Sequence, residues 1–80
     1  MNHERLRAQG AMVELKSKIH ALDTEIQAHK LFIRDQVAPF VDATPQKAAL
    51  VLASAQRLHA CCEQIEKLKA DLAELEADWG

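Results

Sequence analysis

The sequence predicts an all-α protein: two long helices in an antiparallel helical hairpin, a coiled coil that dimerises into a four-helix arrangement. Three observations predict it. Met12, Leu15, Ile19, Leu22, Ile26, His29 and Ile33 recur at alternating steps of three and four, and Val51, Ser54, Leu58, Cys61, Ile65, Leu68, Leu72, Leu75 and Trp79 repeat that spacing. Residues so spaced form a stripe along one side of an α-helix. The two stripes are separated by a short segment bracketed by Pro39 and Pro45. Finally, 49% of the residues are hydrophobic but only 4% aromatic, so the apolar content is mostly Ala and Leu, which favour helix. Two Gly and two Pro leave too few turn sites for a many-stranded fold.

The whole chain, residues 1–80, reads as a single helical-hairpin domain. The first helix is expected over about 3–37, with Asn2 as its cap. Gly10 lies inside the pattern and costs about 1 kcal/mol relative to Ala, so the first turns are expected to fray. Pro39 disfavours helical geometry at Ala38 and ends the helix there. The turn spans about 38–44. Thr44-Pro45 reads as an N-cap followed by proline at the first helical position, with Asp42 as a competing cap. The second helix then runs over about 45–78.

Facing positions of an antiparallel pair have a constant sum of residue numbers. A sum of about 84 gives every seam residue a suitable partner: Ile33 meets Val51, Ile26 meets Leu58, Ile19 meets Ile65 and Met12 meets Leu72. The same offset sets His29, the polar seam residue of the first helix, beside Ser54, the hydroxyl of the second. A polar layer in an apolar seam weakens stability but selects register. Arg5 and Arg7 at one end of the chain come beside Asp71, Glu74, Glu76 and Asp78 at the other. Such exposed pairs contribute about 0–1 kcal/mol each and serve orientation more than stability.

A two-helix seam leaves apolar residues over. Leu31, Phe32, Leu50, Leu52, Ala53, Ala55, Ala60 and Cys62 fall beside or away from it, and Phe40 and Val41 add apolar groups at the turn. Most of this surplus is in the turn-proximal half, where an exposed patch marks an association site. A homodimer packed through that half is therefore expected, with Leu31, Phe32, Phe40, Leu52, His59 and Cys62 as its interface; docking on a different protein would use the same surface.

His59, Cys62 and His20 are the residues that invite a metal reading, but there is no CxxC and no second ligand pair. No metal ligand, cofactor, catalytic residue or small-molecule substrate is expected, and no enzyme activity. Two free thiols suit a reducing cytoplasm. The net charge of −2 gives no general attraction to polyanions. Lys16, Lys18, Lys30 and Arg34 alternate with Glu14, Asp23, Glu25 and Asp35, which disfavours nucleic-acid binding and attachment to a membrane surface. The longest apolar run, Ala48 to Ala55, is far short of the roughly 20 residues that span a bilayer. The charged N-terminal residues do not read as a signal peptide.

Leu22-Asp23-Thr24-Glu25-Ile26, continuing to Ile33-Arg34-Asp35 and a proline-containing turn, resembles small helical-hairpin proteins of Mu-like transposable bacteriophages and prophages. The tail Ile65-Glu66-Lys67-Leu68 through Leu72-Ala73-Glu74-Leu75 does so too, and the resemblance covers most of the chain from about Leu6. Such proteins are mostly without assigned activity, so it carries over no functional residue. It implies a role in the host cytoplasm during infection or lysogeny. The function expected is a non-enzymatic protein–protein interaction module, a phage-encoded accessory or host-directed adaptor or inhibitor. The alternatives are a dimeric nucleic-acid-associated accessory factor and a purely structural coiled coil.

Overall fold

A computed structural model describes residues 2–79, apart from the side chain of Asn2, so the expected Asn2 cap lies outside the described residues. Two helices account for nearly all of it: α1, Asn2–Gln36, and α2, Pro45–Trp79, each of 35 residues. They pack side by side along their length as an all-α helical hairpin, a rod of 61 × 15 × 14 Å. The radius of gyration is 17.9 Å, against about 12 Å for a globular chain of this length.

The connection is built without glycine, and no described non-glycine residue takes a positive φ. The final α-type bond of α1 runs from Val37 N–H to the Ile33 carbonyl at 3.0 Å. Pro39 then occupies the second position of a β-turn closed by Val41 N–H donating to the Ala38 carbonyl at 2.9 Å, where its fixed φ is preorganised. Thr44 caps α2: its Oγ1 accepts from Lys47 N–H at 3.1 Å and its carbonyl from Ala48 N–H at 2.9 Å. Pro45 follows at the first helical position, where a missing N–H is harmless; Thr44 provides the start and Asp42 does not. The helices begin and end within about one residue of their expected bounds.

The seam has the expected membership. Every residue of the first stripe from Met12 to Ile33 is half-buried, and in the second Ser54, Cys61 and Ile65 are buried and the others half-buried, except Trp79 at the open end, which is 39% exposed. Ala8 extends the seam at the N-terminal end. Gln36 and Lys47 extend it toward the turn, both half-buried. Their long aliphatic stems cover apolar surface while the polar ends reach water. Val41, expected among the surplus, is instead half-buried and lines a groove with Gln36, Lys47 and Val51. Gly10 does not interrupt α1, and a Cβ placed there meets nothing within 4 Å.

A single helix–helix interface covers little. The four residues buried among the described ones, Ala8, Ser54, Cys61 and Ile65, are still 6–7% exposed. The accessible surface is 6287 Å², whereas a folded monomer of this mass exposes about 4,800 Å².

Candidate functional site

Apart from Gln36 and Lys47 beside the turn, the seam is apolar except for one polar layer and its neighbour, nearer the turn than the open end. Ser54 and Cys61 are inward positions of α2, seven residues apart with Leu58 between them, and both face α1. On α1, His29 occupies a seam position and Glu25 stands one turn before it on the flank of the seam. The i, i+4 spacing stacks these two side chains.

His29 Nδ1 and Ser54 Oγ share a hydrogen bond at 3.1 Å, which fixes the hairpin in the register expected from the sequence. The other ring nitrogen, Nε2, is buried without a hydrogen-bond partner. The nearest carboxylate oxygen, Glu25 Oε1, is 3.9 Å away, beyond hydrogen-bond reach. Glu25 turns instead to α2, where the Cys61 thiol donates to Oε2 at 2.9 Å. That hydrogen bond, burial and the negative charge of Glu25 push the Cys61 thiol up from its ordinary value of 9.0 to about 11. The group is a protonated thiol at neutral pH, and only a thiolate is a nucleophile or metal ligand. The chemical content of this arrangement is a buried imidazole nitrogen, a thiol and a carboxylate, all within 4.8 Å of one another.

Spacing rules do not find this group. Glu25 reads in sequence as one of several alternating surface charges, and nothing in Cys61-Cys62 points to it; only the hairpin register brings them together. The trio suggested by sequence is not assembled. His59 pairs with Glu63 on the surface of α2 at 3.1 Å. His20 lines a groove with Lys16, Asp23, Ile65 and Lys69, further toward the open end. Cys62 is exposed.

The six residues expected at an interface are all exposed: Leu31 50%, Phe32 37%, Phe40 89% and Leu52 60%, with His59 and Cys62 also outside the seam. They do not share one face. Leu52, His59 and Cys62 each follow a seam position of α2, and one residue is a rotation of about 100°; they lie together on one flank. Phe32 precedes a seam position of α1 and lines a groove with Leu50, Ala53, Ser54 and Arg57 on the opposite flank. Phe40 is at the tip of the turn, beside Pro39, Val37 and the Arg34–Asp35 ion pair of 3.1 Å. Leu31 faces outward from α1, between the flanks.

No described helix is long and apolar enough to cross a membrane. Comparison with protein-family models, with curated proteins and with solved structures finds no match. The class the geometry defines is thus the helical hairpin itself.

Proposed function

We propose that the chain is a non-enzymatic protein–protein interaction module that works as a homodimer, two hairpins packing into a four-helix arrangement. The observation that carries this reading is the uncovered apolar surface of the turn-proximal half. Leu31, Phe32, Leu50, Leu52 and Phe40 are 37–89% exposed, and the chain as a whole leaves about 1,500 Å² more accessible than a folded monomer of its mass. A standard interface takes about 800 Å² from each partner, so one hairpin has surface enough to give. The flank with Phe32, Leu50 and Ala53 suits helix-on-helix packing best, because small Ala53 beside larger Phe32 and Leu50 makes a ridge and groove.

With this goes the reading of a phage-encoded accessory protein in the host cytoplasm, where the dimer presents a rigid helical surface to a host protein as adaptor or inhibitor. Light scattering of the purified chain at micromolar concentration tests the dimer. A mass of two chains is expected. A monomer with full helicity would remove the homodimer and leave docking on a different protein as the use of this surface.

A further inference from the structure

We propose that Glu25, His29 and Cys61 form a zinc-binding site that ties α1 to α2. The three side chains supply one oxygen, one nitrogen and one sulfur, a donor set that suits a divalent cation of borderline softness. Their ligand atoms lie within 4.8 Å of one another and come from both helices. A tetrahedral zinc ion with bonds of 2.0–2.3 Å requires ligand atoms roughly 3.3–3.6 Å apart. Glu25 now divides its carboxylate, with Oε2 2.9 Å from Sγ and Oε1 3.9 Å from Nε2, so zinc binding has to turn a single oxygen toward both. Glu25 is 55% exposed, so its side chain has room to rotate, and Nε2 and Sγ, on opposite helices, have to close from within 4.8 Å to the same spacing.

The second observation is the state of His29. Its side chain is only 15% exposed, and Nε2 is the buried side-chain nitrogen or oxygen left without a partner among the described residues. An unmatched buried polar group is costly, and a metal ion beside it removes that cost. Ser54 already holds the ring from the other side through Nδ1. Metal-binding histidines are held in this way, with the second ring nitrogen fixed by an outer partner that sets tautomer and orientation. The layer that selects register would thus also orient a ligand.

Charge accounting is favourable. Without metal the site holds a neutral thiol and one carboxylate. On binding, the Cys61 S–H bond breaks, its proton leaves to solvent, and the sulfur electron pair forms the bond to zinc. Zn²⁺, thiolate and carboxylate then sum to zero, so binding leaves no net charge beside buried Cys61 and largely buried His29. A solvent molecule completes the coordination on the side where Glu25 is exposed.

The test uses the full reduced chain, stripped of metal with a chelator and titrated with Co²⁺ and then Zn²⁺. One Co²⁺ per chain is expected, with a near-ultraviolet thiolate-to-metal band that Zn²⁺ displaces, and zinc should raise the melting temperature in proportion to the logarithm of its concentration. Cys61→Ser should lose the band, and Glu25→Gln, at a half-exposed position that leaves the seam intact, should weaken zinc by about tenfold or more. Ser54→Ala should weaken it by about 10–100-fold through the outer partner. Cys62→Ser and His59→Gln should bind as the parent does. Circular dichroism of each metal-free variant separates lost binding from lost folding. The proposal is overturned if the folded parent gives neither band nor thermal shift, if Glu25→Gln binds undiminished, or if the band follows Cys62 rather than Cys61.

Discussion

One residue along α2 is a rotation of about 100°, and it separates two adjacent cysteines into different chemistries. Cys61 is buried with its thiol held by Glu25, whereas Cys62 is exposed. Iodoacetamide at pH 8 should therefore modify Cys62 in the metal-free folded chain and spare Cys61, while both react in urea; mass spectrometry of the peptides reads the difference. Equal labelling in the folded chain would mean that the thiol does not face the seam. The raised Cys61 value also has a sign. Folding favours the protonated thiol, so its contribution is fully present below the unfolded value near 9.0 and is lost as pH rises through about 11. The melting-temperature advantage of the parent over Cys61→Ala should accordingly shrink between these two pH values. At Ile26 the outcome is simpler. The side chain is half-buried in the seam, and Ile26→Asp sets a carboxylate against Leu58. A loss of several kcal/mol is expected, on the scale of burying an unpaired polar group, seen as loss of the cooperative helical melt.

For the helices, caps and breakers make predictions of opposite sign. Gly10 is fully within α1 and open space surrounds its missing Cβ, so Gly10→Ala should stabilise by about 0.5–1 kcal/mol. Thr44→Ala removes the oxygen that accepts from Lys47 N–H and should cost about 1 kcal/mol. Denaturant melts of the two variants against the parent check both. At this scale the structure was largely legible in the sequence. Apolar spacing named the seam, prolines placed the turn, and the pairing of His29 with Ser54 followed from aligning two stripes. Each of these rests on residue type and spacing along the chain. What periodicity does not contain is reach. Gln36 and Lys47 join the seam through aliphatic stems that residue type alone marks as polar. Val41 folds back on α2 because a turn closes between Ala38 and Val41. Glu25 crosses to Cys61 through side-chain length and rotamer, neither of which a one-letter pattern records.

A pair of helices this long and narrow has a surface problem that neither helix can solve. Both inner stripes are used, and 6287 Å² remains accessible. Stability and association are then coupled. If the turn-proximal flank closes against a second copy, the melting temperature should rise with protein concentration, because dimerisation draws on folded chains only. Phe32 is the residue that separates this account from its competitor. It is 37% exposed and lies beside Leu50 and Ala53 rather than within the seam. A charge there is solvated in the monomer but is buried in a dimer, where an uncompensated carboxylate is not tolerated. Phe32→Asp should keep the helical circular dichroism signal, remove the concentration dependence of melting and shift the sedimenting species to one chain. Leu52→Asp, on the opposite flank, should leave all three readings close to the parent if the flank with Phe32 is the one that closes. If the two substitutions act alike, both flanks are used and the assembly is larger than two hairpins. If Phe32→Asp instead unfolds the dilute monomer, Phe32 belongs to the intramolecular core and the surplus surface is smaller than its exposure indicates.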